Sequence, residues 1–161
     1  MTNDGIAAEI VAMAKLDQAM RRAAALDPKA WDAAIDRANT ARLREIVDKV
    51  GWPTTSRVGS AAEHAAWLLV QHATHDLAFA KRALALMRQQ PPGEVCPKHI
   101  AYLEDRIETL EGRPQRFGTQ LRRGASGAWE TLPLADEAQV DELRASVGLG
   151  TLRDYLAGVR R

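Results

Sequence analysis

Apolar residues recur at steps of three and four from Ile6 to Leu110, and that spacing places them on one face of an α-helix. The abundant Ala, Leu, Arg and Glu also favour helix over strand. Turn and capping signals divide the pattern into helices that begin near Ile6, Asp27, Ser60, Asp76 and Cys96. The sequence therefore predicts a mainly α protein, a helical bundle of about five core helices.

Capping residues predict where these helices start and stop. Asp27 followed by Pro28 is typical of a helix start, and we expect this second helix to end at Gly51. Ser60 and Glu63 match the capping box, in which each side chain satisfies a free amide of the first turn. The "GWPTTSRVGS" segment between these helices predicts a structured loop.

The third helix contains the most apolar run of the chain. Residues 65 to 70 are apolar on every side, which predicts that this helix is the central one and is surrounded by the others. Gln71 and His72 follow the run directly and inherit that buried position. Asp76 is the expected cap of the fourth helix, and Cys96 stands at the cap position of the fifth.

The helical spacing of the apolar residues ends after Gly112. The stretch "RFGTQLRRGASGAWETLPL" has a Gly and Ser turn between two short segments, which predicts a small β-hairpin with about five residues per strand. Two short C-terminal helices follow, separated by a break from Gly148 to Gly150. We expect a single domain over residues 1–161, with the helical core at about 1–112 and the hairpin and C-terminal helices at about 113–161.

Composition excludes several classes of function. The formal net charge is +1, so the protein lacks the positive field of a dedicated nucleic-acid binder. A single cysteine excludes an intramolecular disulfide and a Cys-rich zinc site. No segment approaches the roughly 20 apolar residues that span a bilayer. We therefore expect a soluble cytoplasmic protein with no nucleic acid or membrane partner. The sequence identifies no cofactor and leaves open whether the chain forms homo-oligomers.

Three histidines lie close together in the sequence, but helix geometry argues against a shared metal ion. At about 1.5 Å rise per residue, His64 lies about 12 Å from His72 and about 16 Å from His75 along one helix axis. One ion cannot bind ligands at those separations. His72 and His75 would need a third ligand from elsewhere, such as Asp105. We predict no metal-ligand set.

The sharper hypothesis makes His72 a general acid or base. An imidazole near its neutral pKa needs a carboxylate to fix its tautomer and an open side that faces the substrate. We expect Asp105 to be that carboxylate, and we expect the remaining polar residues to contact the substrate: Gln71, Arg106, Gln115, Thr119 and Gln120. The alternative is that His72 and Gln71 are buried groups that hold the helices in register by hydrogen bonds.

Cys96 and His99 form a second candidate pair. A helix N-terminus lowers the pKa of a thiol, and a histidine three residues later can reach it, so the two could act as a nucleophile and its base. The simpler interpretation is that Cys96 is a small, partly buried residue at the helix cap.

Four segments of the chain stand out together: "GWPTTSRVG", "AAWLLVQHATHD", "AYLEDRI" and "GRPQRFGTQ". In this order and spacing they resemble a widespread bacterial family that is described only as a domain of unknown function, and the likeness covers roughly residues 36 to 160. The family pattern falls on Trp52, Pro53, Gly59, Gln71, His72, Leu103, Asp105, Arg106, Gly112, Gln115, Gly118, Thr119 and Gln120. A tyrosine commonly stands where this chain has Phe117, and Cys96 and His99 lie outside the pattern. The resemblance implies that this polar set carries the function, and it implies no reaction.

Two hypotheses follow from these residues. The first is a small enzyme in which a His72 and Asp105 pair acts on a small polar or acyl substrate. The second is a non-catalytic binding or regulatory module. In that module the same polar set is a structural hydrogen-bond network, and an exposed apolar face around Trp52 or Trp129 binds a partner.

Overall fold

The computed structural model of the chain describes residues 2–159 and confirms a mainly α fold with one small β-hairpin. The chain divides into two compact units. Unit 1 ends at Cys96 and unit 2 begins at Pro97. The five long helices that the apolar periodicity predicts are present, four of them in unit 1 and one in unit 2.

Unit 1 consists of helices arranged around a central one. The elements are α1 (Asn3–Leu26), a 3-10 turn (Pro28–Ala30), α2 (Ala33–Val50), α3 (Thr55–Val58), α4 (Ser60–His72) and α5 (Leu77–Arg88). Helix α4 packs against α1, α2, α3 and α5, which confirms that the most apolar helix is the central one. The predicted loop before α4 contains the short α3, so this segment is more regular than its glycines and proline suggest.

The buried face of α1 differs from the predicted one by a small rotation. The apolar spacing Ile6, Ile10, Met13, Leu16 and Met20 predicts one face that includes Leu16, but Leu16 is 54% exposed. The side chains that the structure buries are Ile6, Ile10, Ala14, Asp17 and Met20. Their spacing of four, four, three and three residues is as helical as the predicted one. Alternating steps of three and four therefore allowed two adjacent faces, and packing selected the one that carries Asp17.

Of the helix N-caps predicted at Asp27, Ser60 and Asp76, only the one at Asp76 is where it was expected. Asp76 caps α5, and its carboxylate accepts a hydrogen bond from the amide of Phe79 at 3.0 Å. Asp27 caps only the 3-10 turn, and Asp32 caps α2 instead. The predicted capping box at Ser60 is wrong. Gly59 ends α3 and also occupies the cap position of α4, so Ser60 is already the first helical residue.

Unit 2 contains the hairpin. Its elements are α6 (Pro97–Leu110), β1 (Leu121–Arg123), β2 (Trp129–Thr131), α7 (Val140–Ser146) and α8 (Leu152–Val159). The strands are antiparallel, with Arg122 opposite Glu130. Each strand has three residues instead of the expected five or so. The ladder stops at Gln120, because its amide donates to Oε1 of Gln115 and the Leu132 carbonyl accepts from Nε2 of Gln115.

The helices were also compared with the length and hydropathy that a bilayer requires. Among residues 2–159, no helix is long and apolar enough to cross a membrane.

Candidate functional site

A histidine and a buried aspartate meet inside unit 1. Nδ1 of His72, in the last turn of α4, lies 3.0 Å from Oδ1 and 2.9 Å from Oδ2 of Asp17 on α1. The Asp17 side chain is 1% exposed and that of His72 is 19% exposed. The carboxylate at Nδ1 is therefore Asp17 and not Asp105. An ionised carboxylate can only accept, so this contact fixes the proton on Nδ1 and leaves Nε2 as the basic nitrogen of the neutral ring.

Asp17 is held by two further side chains of α1. Oδ2 accepts a hydrogen bond from Nε2 of Gln18 at 2.8 Å, and Oδ1 accepts one from Nε of Arg21 at 3.1 Å. Burial raises the pKa of Asp17. The hydrogen bonds from His72 and Gln18 and the positive charge of Arg21 outweigh burial, so the pKa lies below its usual value. Asp17 is thus a fixed anion beneath the imidazole.

Arg21 connects Asp17 to the start of α2. Its Nη2 lies 2.8 Å from Oδ1 of Asp36, and its guanidinium lies 4.9 Å from the centre of the Trp31 ring. Trp31 is 46% exposed. Arg21 is held on three sides by these contacts, so it stabilises the carboxylate that orients His72.

The other ring nitrogen of His72 has a different environment. Within residues 2–159, no hydrogen-bond partner contacts Nε2, while both oxygens of Asp17 engage Nδ1. The His72 side chain keeps 19% of its surface exposed. The arrangement has an oriented ring and a free basic nitrogen, which are the two requirements of a general base.

The lowered pKa of Asp17 predicts a loss of stability in acid. The ordinary value is 3.8, and a group whose folded pKa lies lower stabilises the fold above that pH and loses its contribution as the pH falls through the folded value. We expect Asp17→Asn to lower the free energy of unfolding at pH 7 by about 1 to 3 kcal/mol. The difference in urea unfolding between parent and variant should shrink progressively as the pH falls below 3.8. A difference that stays constant down to pH 2.5 would contradict this prediction, and the exposed Asp4→Asn is the control.

Asp105 lies in a different environment, in unit 2. It is fully buried on α6. Its carboxylate accepts hydrogen bonds from the amides of Arg116 at 2.8 Å, Phe117 at 3.1 Å and Thr119 at 3.0 Å. The Thr119 hydroxyl adds a fourth at 2.9 Å. Asp105 therefore holds the 116–119 loop onto α6, a role that uses both of its oxygens.

Gln115 and Gln120 bond mainly to backbone. Oε1 of Gln115 accepts from the Gln120 amide at 2.8 Å. Its Nε2 donates to the carbonyls of Gln120 at 2.9 Å and Leu132 at 3.0 Å. Gln120 in turn donates from Nε2 to the Thr119 hydroxyl at 3.0 Å. The buried Gln115 side chain thus behaves like an extra peptide group at the base of the hairpin.

One residue from α7 and one from α8 also donate hydrogen bonds to the same loop. Arg144 is 2% exposed, and its Nη1 donates to the Phe117 carbonyl at 2.8 Å. The Tyr155 hydroxyl donates to the Thr119 carbonyl at 3.1 Å, and burial raises the pKa of this phenol. The "RFGTQ" segment is consequently fixed through its backbone from both the α6 side and the C-terminal side.

Gly118 is the residue in this loop that tolerates substitution least. Its φ is +65°, and an added Cβ would lie 2.9 Å from Leu152 and 3.3 Å from Leu134. We expect Gly118→Ala to lower the free energy of unfolding by about 2 kcal/mol. Gly127→Ala is the matched control, because Gly127 has φ +78° with nothing within 4 Å. Urea unfolding should show a smaller loss for the control, and equal losses would mean that the leucine contacts contribute nothing.

The predicted site residues thus belong to different surroundings. Asp105, Gln115, Thr119 and Gln120 come together in unit 2, whereas His72 pairs with Asp17 in unit 1. Gln71 is 3% exposed on α4, and Arg106 is half-buried on α6. Cys96 is half-buried and His99 is 8% exposed. Trp52 is 1% exposed, so the expectation of an exposed apolar face around it is wrong.

Sequence reasoning missed Asp17, Gln18 and Arg21, although one signal for them was present. Asp17 falls three residues after Ala14 and three before Met20, on the buried face of α1. A charged residue on a buried face needs a partner, and that requirement points to a polar side chain on the facing helix. In the described part of the chain, no group of three or more His, Cys, Asp or Glu side chains is arranged to hold a metal ion.

The comparison with known proteins gives one match. Residues 4–160 match the model of a family of unknown function (DUF6624). This confirms the resemblance to an uncharacterised family and extends it over α1, and so over Asp17. No curated protein and no solved structure matches the chain.

Proposed function

Because the chain belongs to this family of unknown function, whose description names no reaction, we propose from the side-chain geometry of unit 1 that the protein is a small acid–base enzyme. His72 is the acid or base, Asp17 orients it, and the substrate is a small acyl compound. The observation that carries the proposal is the contact of both Asp17 oxygens with Nδ1 of a partly exposed imidazole.

The chemistry that this pair supports is hydrolysis of an ester. Nε2 of the neutral ring takes a proton from a water molecule as the water oxygen attacks the acyl carbon. The buried Asp17 carboxylate stabilises the imidazolium that forms. The imidazolium then returns the proton to the leaving alcohol oxygen as the carbon–oxygen bond breaks. General acid–base transfer of this kind contributes about 10² to 10⁴ in rate.

Arg21 and Gln18 serve this reaction as positioning residues. Each donates one hydrogen bond to Asp17, so the carboxylate keeps its orientation when the ring gains or loses a proton. Arg21 also forms an ion pair with Asp36. Because its charge is already shared between two carboxylates, Arg21 is a poor candidate for direct substrate binding.

A second candidate function is favoured by the hydrogen bonds of unit 2. Asp105, Gln115 and Thr119 direct their polar groups at backbone or at one another, which is what a structural network requires. In this alternative the protein is a binding or regulatory module without a reaction, and His72 only ties α4 to α1.

The two candidates differ in what the loss of the imidazole costs. Hydrolysis of 4-nitrophenyl esters by the parent and by His72→Gln, together with urea unfolding of both, separates them. Loss of turnover with normal stability supports the enzyme. Loss of stability alone supports the module, because removing one member of a structural network leaves the others without partners.

A further inference from the structure

A groove of about 380 Å³ runs between α1 and α4 in unit 1. Its apolar lining consists of Val11, Ala14, Ala61, Ala65 and Leu68. Three of these five side chains are alanines, so the two helices leave an open channel where larger residues would have filled it. The volume lies within the range of small-molecule sites, and the apolar lining suits a hydrocarbon chain.

The polar part of the groove carries positive charge. Its polar lining consists of Lys15, Gln18, Arg22 and His64. Lys15 and Arg22 lie seven residues apart on the same face of α1, and both are exposed. Neither forms an ion pair with a residue that the structure describes, and no acidic side chain is among the described residues that line the groove. Two cations beside an apolar channel favour a ligand with an apolar chain and a negative group.

The groove adjoins the His72 and Asp17 pair. Gln18 lines the groove and also donates the 2.8 Å hydrogen bond to Oδ2 of Asp17. Leu68 lines it from α4, one helical turn before His72. A ligand in the groove therefore lies against the same stretch of α1 and α4 that holds the imidazole.

We infer that the α1/α4 groove binds an aliphatic carboxylate, with the hydrocarbon chain over the alanines and the carboxylate beside Lys15 and Arg22. This inference rests on the proposed function. It names the substrate class as esters of aliphatic carboxylic acids, since hydrolysis of such an ester releases the carboxylate. The groove then binds the acyl chain of the substrate and retains the product, which predicts product inhibition.

The test is titration of the full chain with octanoate by calorimetry, beside octanamide, which has the same chain without the charge. We expect saturable octanoate binding, and about tenfold weaker binding of octanamide. Lys15→Gln/Arg22→Gln should raise the Kd for octanoate about tenfold. The double variant Lys29→Gln/Lys49→Gln, which removes two exposed lysines elsewhere in unit 1, should leave it unchanged.

A second variant tests the channel itself. Ala61 is exposed at the start of α4, so Ala61→Trp should fill the groove from the solvent side without entering the core and should also raise the Kd about tenfold. Ala41→Trp, at an exposed position on α2, is the control. Equal affinity for octanoate and octanamide, or unchanged affinity in both groove variants, would overturn the inference.

The test of the groove can fail or succeed independently of the test of the proposed reaction. Octanoate binding without any hydrolysis by the parent would overturn the proposed reaction and leave the groove assignment standing. Hydrolysis that depends on His72, without octanoate binding, would overturn the groove assignment alone.

Discussion

His72→Gln is expected to lower the hydrolysis rate of 4-nitrophenyl octanoate by about 10² to 10⁴ fold. The free energy of unfolding should change by less than about 1 kcal/mol, because Asp17 keeps its hydrogen bonds from Gln18 and Arg21. What the variant lacks is a nitrogen that can take up and release a proton. Initial rates at pH 7.5 and urea unfolding of the same preparations measure the two effects.

His75→Gln is the matched control for this experiment. His75 is exposed three residues after His72, in the turn before α5, so its replacement removes a histidine without touching the contact with Asp17. Rates that fall equally in the two variants would contradict the proposal. A large loss of stability in His72→Gln would contradict it as well, and would favour the structural network. Asp17→Asn should reduce the rate through the tautomer and orientation of the ring while leaving His72 in place.

Asp105→Ala is expected to destabilise the protein by about 3 to 5 kcal/mol, the largest effect on stability of any substitution considered. The carboxylate is fully buried and accepts hydrogen bonds from three backbone amides and one hydroxyl. Removing it leaves those donors without partners in a site that water reaches poorly. Urea unfolding measures the change, with Asp154→Ala as the control, since the Asp154 side chain is 67% exposed.

Thr119→Val gives a graded comparison for the same cluster. It removes one of the four donors to Asp105 and also the acceptor of the Gln120 side-chain amide, but leaves the backbone bonds in place, so a loss of about 1 to 2 kcal/mol is expected. A loss below about 1 kcal/mol for Asp105→Ala itself would mean that the loop is held elsewhere, through Arg144 and Tyr155.

The helices of this protein were predictable from local patterns, and the carboxylate beside His72 was not. Apolar spacing is a property of neighbouring residues, and it identified the long helices and the central position of α4. The contact of His72 with Asp17 joins residues 55 apart in the chain. Such a contact depends on how one helix is rotated against another, and the spacing on α1 allowed two adjacent faces.

The prediction that the Asp105 carboxylate accepts hydrogen bonds is correct, but the predicted partner, His72, is wrong. A buried carboxylate does need donors, but the donors here are mostly backbone amides of the 116–119 loop, which carry no signature in the sequence. Gln115 and Gln120 were expected to contact a substrate for the same reason. Amide side chains pair as readily with peptide groups as with ligands, and only coordinates distinguish the two.

The charges on the hairpin also affect how copies of this chain meet one another. A two-stranded sheet ends in open rims, where spare peptide groups can recruit a strand from a second molecule. Here Arg122 and Arg123 on one strand and Glu130 on the other are exposed. These charges predict that concentrated solutions of the protein resist fibril growth through the hairpin.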